Sequence, residues 1–224
     1  MTDKQNEGTS QCLPKRTPEH SPQRILALAP HPDDLEIGCG GTLAEHAARG
    51  DEVHIFIATF GDVGGAADIR KAEQQLAADI LGVHCIHWGE FRDTMLPNQQ
   101  QDLMIKLESI IQQVKPDIVY VNHSEDTHQD HRILAKVAHS VTRYVPNVLA
   151  YETPSTTTFE PTAFMGINNV LQLKLKALSA HASQLERTHI RLNIIEIALA
   201  TVHFRGMQSK LSCAEAFMPI RMLL

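Results

Sequence analysis

Cysteine is scarce and dispersed. Cys12, Cys39, Cys85 and Cys213 form no Cys-x-x-Cys pair, which argues against a disulfide framework and against an all-thiolate zinc site. Unpaired thiols suit a reducing compartment. No run of 18 or more apolar residues occurs, so no transmembrane helix is expected. Basic residues are outnumbered, 20 Lys and Arg against 26 Asp and Glu for a net charge of −6. Without a basic field, nucleic acid is not an expected partner. The first 20 residues, MTDKQNEGTSQCLPKRTPEH, lack the apolar core of a secretory signal. They read as a disordered leader, and the chain as cytoplasmic. There is no internal repeat and no low-complexity tract.

What is present is an ordinary globular balance, 43% hydrophobic and 21% charged over 224 residues. That suits a disordered tail over 1–23 followed by a single domain over 24–224. Short apolar, β-branched runs predict strands at Ile25–Ala29, Val53–Thr59, Val83–Trp88, Asp117–Asn122 and Val148–Glu152. Helical periodicity with stop signals predicts helices at Thr42–Arg49, Asp68–Leu81, Asp102–Val114 and His131–Tyr144. The alternation predicts an α/β fold: three layers, with a mostly parallel, Rossmann-like sheet carrying helices on both faces.

Such sheets bind ligands beyond the carboxyl ends of their strands. The residues following the predicted strands are chemically capable ones: His31-Pro32-Asp33-Asp34, the Gly61–Gly65 loop, Arg92-Asp93, and His123 through His131. Of the 13 histidines, position matters more than number. A catalytic zinc takes about three N/O ligands and leaves a place for water, and a further carboxylate must serve as base. The two clusters, His31-Pro32-Asp33-Asp34 and His128-Gln129-Asp130-His131, supply such a set. Spacing does not say which of Asp33 and Asp34 is ligand and which is base, nor does it exclude His123 as a ligand.

The run Ala-Pro-His-Pro-Asp-Asp, continuing to Gly38-Cys39-Gly40-Gly41-Thr42, resembles the opening motif of the PIG-L/LmbE-like zinc N-deacetylases. His128-Gln129-Asp130-His131 resembles their second motif. Further matches are Arg70 and Glu73 before Leu81-Gly82, Asp93, Lys176-Ala177 leading to His181-Ala182-Ser183-Gln184, and Ala214-Glu215-Ala216-Phe217. The resemblance implies a metal-dependent hydrolase that removes an N-acetyl group from an amino-sugar-containing small molecule. It implies Zn²⁺, with Fe²⁺ as the alternative, held by His31, Asp34 and His131. Asp33 is implied as base, His128 as oxyanion partner and acid to the leaving amine, and Asp130 as the residue orienting His128. Arg70 and Asp93 are implied to contact substrate, and a homo-oligomer is implied by family habit. Gln129 stands where the family usually has proline and Leu35 where many members have glutamate. Ser124–Thr127 lacks the tyrosine found there in some members.

Plainer readings compete. These are Arg70 paired only with its helix neighbours, Glu215 as core or oligomer contact, and His181 and Gln184 as either lining the site or capping a helix. His46, His54, His84, His87, His139, His189 and His203 have no partner by spacing. A dinucleotide-binding module is disfavoured, because the glycines start nine residues after Ala29 and no acid ends the second strand. A non-catalytic metal- or sugar-binding protein would not need both Asp33 and His128.

Overall fold

The computed structural model describes residues 21–185 and 193–223. The expected leader through residue 20, and His189, lie outside the described residues. The described chain runs β1 Arg24–Ala29, α1 Asp34–Gly38, α2 Gly40–Ala48, β2 Glu52–Thr59, α3 Ala67–Leu81, β3 Cys85–Phe91, α4 Gln100–Val114, β4 Ile118–Asn122, α5 Gln129–Val141, β5 Asn147–Tyr151, β6 Ala163–Gly166, α6 Leu171–Ala180, α7 Ala182–Leu185, α8 Ile194–Ser209 and β7 Ala214–Arg221. The sheet order is β3-β2-β1-β4-β5-β7-β6. β3 through β5 are parallel to one another, while β7 is antiparallel to both β5 and β6.

The period-two geometry of a strand explains the layering. Leu26 and Leu28 of β1 pack with Leu103 and Leu107 of α4 and Leu134 of α5. Ile25, Ala27 and Ala29 face the other way, onto Leu35, Leu43 and Ala78. Both faces of β1 are apolar and both are covered, as expected for a parallel sheet. β1 and β4 are neighbours, and the chain leaves them in opposite directions along the sheet. Their carboxyl ends therefore border the crevice where such folds bind ligands.

Several boundaries differ from the sequence reading. α1 was not expected: it begins at Asp34 itself, after Asp33 takes a left-handed conformation with φ 85°. α2 begins at Gly40 rather than Thr42. Gly38, the last residue of α1, has to be glycine, because a Cβ there would overlap the Tyr151 ring. β3 starts at Cys85, not Val83, and runs on through Phe91. α5 starts at Gln129 because His128 caps it, its side chain accepting from the Asp130 N–H.

The C-terminal third is tied to the first motif by a buried ion pair. Of the two lysines in α6, Lys176 is exposed and Lys174 is not. Lys174 is fully buried; its Nζ lies 2.6 Å from Glu215 Oε1 and donates to the Glu36 and Ile37 carbonyls. Glu215 also accepts from the Gly41 and Thr42 N–H groups and the Thr42 hydroxyl. A carboxylate at the first turn of α2 meets the positive end of the helix dipole. Removing one partner of a buried pair strands the other charge. Glu215→Gln is therefore expected to lower the unfolding free energy by about 3–5 kcal/mol, measured by denaturant titration, with a far smaller effect from Lys176→Gln.

Candidate metal centre

The two clusters meet across the β1/β4 crevice. Asp34 Oδ2 lies 3.3 Å from His31 Nδ1 and 3.4 Å from His131 Nε2. These are the edge lengths of a tetrahedron with bonds of ~2.0–2.1 Å, the usual zinc–nitrogen and zinc–oxygen distances. The nitrogens of His31, His128 and His131 also fall within 4.8 Å of one another. His123, the alternative ligand, instead accepts the Glu125 N–H on Nδ1.

The outward nitrogen of each imidazole is held by carboxylates. His31 Nε2 lies 3.1 Å from Asp93 Oδ1 and 3.2 Å from Asp130 Oδ2, and His131 Nδ1 lies 3.1 Å from Asp126 Oδ2. Carboxylate–histidine pairs of this kind set the tautomer and orientation of metal-binding imidazoles. The donor set therefore fits a divalent cation, with His31, Asp34 and His131 as the residues that would hold it. The electrostatics agree. Burial alone would depress the pKa of His31, but Asp130, Asp34 and Asp93 outweigh it and raise it well above the ordinary value. His131 is likewise raised by Asp34 and Asp126 against burial, and Asp34 is lowered by His131 and His31 against burial. The negative field that favours positive charge on these rings is the field a cation would occupy.

An open cleft of about 380 Å³ exposes this triangle, lined also by Asp33, Arg70, Asp93, His128 and, from the loop after β5, Thr153–Ser155. Sequence comparison agrees with the geometry. The family model PIG-L, GlcNAc-PI de-N-acetylase, matches residues 26–142. The chain belongs to the PIG-L family. YaiS, an uncharacterized deacetylase of Escherichia coli K12, is 38% identical over 168 residues, covering 71% of this chain and 90% of YaiS. The structure of N,N'-diacetylchitobiose deacetylase from Pyrococcus horikoshii superposes with a TM-score of 0.79 at 26% identity, over 88% of this chain and 84% of that one. A 4-oxalmesaconate hydratase of Pseudomonas putida is 24% identical over 230 residues, 89% of this chain and 86% of the hydratase.

This PIG-L member uses several of the expected residues differently from the resemblance. The Asp130 carboxylate is fully buried and meets His31, not His128; it also accepts from the Thr94 and Leu96 N–H groups. Only the backbone N–H of Asp130 touches His128, donating to Nδ1 over 3.2 Å. Arg70 places its guanidinium on Asp33, Nη2 to Oδ2 3.0 Å, and donates to the Pro32 and Gly61 carbonyls. Asp93 is spent on His31 and the Val63 N–H. Burial and the Asp34 charge raise the Asp33 carboxyl to about 6, although Arg70 opposes them. Gln74 accepts the Asp33 N–H and donates to Glu36, which has His181 Nε2 at 3.5 Å. Ser183 grips Glu73, and Gln184 donates to the Gly64 carbonyl. The His181–Gln184 element thus braces α3 and the Gly61–Gly65 loop, outside the lining of the cleft.

Asp126 was missed by the sequence reading. It is buried and accepts from the His128 N–H and the Thr153 and Ser155 hydroxyls. His131 and these donors hold its carboxyl well below the usual range, against burial. The available signal was an acid two residues before the His128-to-His131 motif. Asp126→Asn is expected to weaken metal affinity about 10–100-fold, the usual effect of losing a carboxylate behind a ligand histidine, as read by chelator competition.

Proposed function

We propose that this chain hydrolyses the acetamide of an N-acetylated amino sugar, releasing acetate and the free amine. One observation carries the reading. Asp33, the His31–Asp34–His131 triangle and His128 converge on a single open cleft, where one amide and one water can be handled together. Similarity to YaiS and to the P. horikoshii deacetylase supports amide hydrolysis. The hydratase relative makes addition of water without amide cleavage the second reading. We assign the ion as Zn²⁺, with Fe²⁺ as the alternative, since a His₂Asp set suits both. The free cysteines Cys39, Cys85 and Cys213 support a reducing, cytoplasmic setting, and a homo-oligomer is proposed from family resemblance alone.

When bound, the ion would act as a Lewis acid, polarising the amide carbonyl and acidifying the attacking water. Asp33 takes the proton from that water as its oxygen attacks the carbonyl carbon. The Asp130 N–H on His128 Nδ1 leaves the ring proton on Nε2, so a neutral His128 donates to the developing oxyanion. Burial, His31 and His131 depress the His128 pKa, which keeps it neutral. Asp33 then returns its proton to the departing amine nitrogen. Geometry thus favours Asp33 for both proton transfers over an acid role for His128.

A screen of N-acetylhexosaminides for released acetate tests the activity; conversion of an unsaturated acid without acetate release would favour the hydratase reading. Asp33→Asn should retain metal while kcat falls about 10²–10⁴-fold. His128→Ala should cost about 10²–10³-fold and preserve both limbs of the pH–rate profile. Loss of the alkaline limb would restore its acid role.

A base works deprotonated, so the rate should fall as pH drops through the Asp33 pKa. A nearby cation lowers that pKa further, which puts the acid limb at or below pH 6. Because the Arg70 charge holds the pKa down, Arg70→Gln should move the limb upward. A rise in KM with an unmoved limb would instead make Arg70 a substrate contact.

A further inference from the structure

A second group of donors lies at the opposite end of the sheet, on the β2–β3 edge. In the parallel register His54 stands beside Cys85 and Phe56 beside His87. Alternation along a strand therefore sends the side chains of His54, Cys85 and His87 from one face. One ligand atom from each lies within 4.8 Å of the other two. His54 Nδ1 and His87 Nε2 face each other at 3.1 Å, close to the ~3.3 Å that separates two imidazole nitrogens on one tetrahedral ion.

The rest of the surroundings match a ligand set. His54 Nε2 lies 3.0 Å from Glu52 Oε1, so the carboxylate holds the proton on Nε2 and leaves the Nδ1 lone pair aimed at the cluster. This is the carboxylate–histidine arrangement that supports metal ligation. His54 is buried, whereas Cys85 and His87 are half-buried on the edge strand. A cavity of about 280 Å³, lined by His87, Trp88, Lys106 and Ser109 among others, borders the His87 side of the cluster. The His84 ring stacks edge-on against His54 at 5.4 Å and also approaches Glu52.

We propose that His54, Cys85 and His87 form a second, thiolate-containing zinc site, with Glu52 orienting His54 and the fourth position left to solvent. Two imidazoles and a thiolate select a soft or borderline ion such as Zn²⁺ over Mg²⁺ or Ca²⁺. Binding deprotonates the Cys85 thiol, whose proton goes to solvent, and moves the His87 ring proton from Nε2 to Nδ1. The ion would pin the edge strand β3 to β2, away from the catalytic cleft, and its role would be structural.

The test uses Co²⁺ in place of Zn²⁺ on the full chain. Cobalt bound to a thiolate gives a sulfur-to-metal charge-transfer band in the near ultraviolet, and the catalytic triangle holds no sulfur. The unaltered chain and His131→Ala should both show the band; Cys85→Ser should lack it. Zinc titration should saturate at two equivalents in the unaltered chain and one in Cys85→Ser. Glu52→Gln should weaken the second equivalent about 10–100-fold. Independently of any variant, added Zn²⁺ should slow alkylation of Cys85 in the unaltered chain, as mapped by peptide mass. Saturation at one equivalent with no band, a band that survives Cys85→Ser, or zinc-insensitive alkylation of Cys85 would each overturn the proposal.

Discussion

The structure is organised around buried negative charge. Asp34, Asp93, Asp126 and Asp130 are each no more than 7% exposed and converge on two imidazoles. A carboxylate removed from water is costly unless it is paired and hydrogen-bonded. Each of these acids meets the condition: Asp34 accepts the His31 N–H, Asp93 the Val63 N–H, Asp126 the His128 N–H, and Asp130 those of Thr94 and Leu96. The backbone amides come from loops at the carboxyl ends of β1, β2, β3 and β4. The loops are thereby shaped by the acids they solvate, and the acids hold the rings that would bind the ion.

The same constraint separates Asp33 from Asp34, adjacent residues with opposite surroundings. A left-handed turn at Asp33 sends its carboxyl toward Arg70 and the cleft, while Asp34 opens α1 and faces the two histidines. Histidine neighbours lower the Asp34 pKa, whereas burial and Asp34 itself raise that of Asp33. Two carboxylates adjacent in sequence are thus driven to opposite acidities by environment, as the proposed division into ligand and base requires. The turn is secured from a distance, by Gln74 of α3 on the Asp33 N–H and by Lys174 of α6 on the carbonyls of Glu36 and Ile37.

The local patterns were sufficient for much of this. Apolar runs bounded by Gly and Pro place β1 through β5 and helices α2 through α5 within a few residues, though not the short α1, since strand and helix periods are written in short windows. The two His/Asp clusters, falling after predicted strands, mark the candidate metal centre, because parallel sheets open at those ends. Which side chain touches which was decided only by tertiary structure. Asp130 is adjacent in sequence to residues of its own motif, yet its carboxylate turns to His31, 99 positions away. Arg70 and Asp93 carry the polarity of substrate contacts and line the cleft, but the fold also sets them on Asp33 and His31. Asp126 had no motif to mark it, and its importance comes from the β5 exit loop folding over it. His54, Cys85 and His87 sit 31 and 2 residues apart and become neighbours only through the β2–β3 register. Composition and periodicity determine which elements form and where polar residues are exposed to chemistry; hydrogen-bond partners across strands depend on register and crossover, which no local window contains.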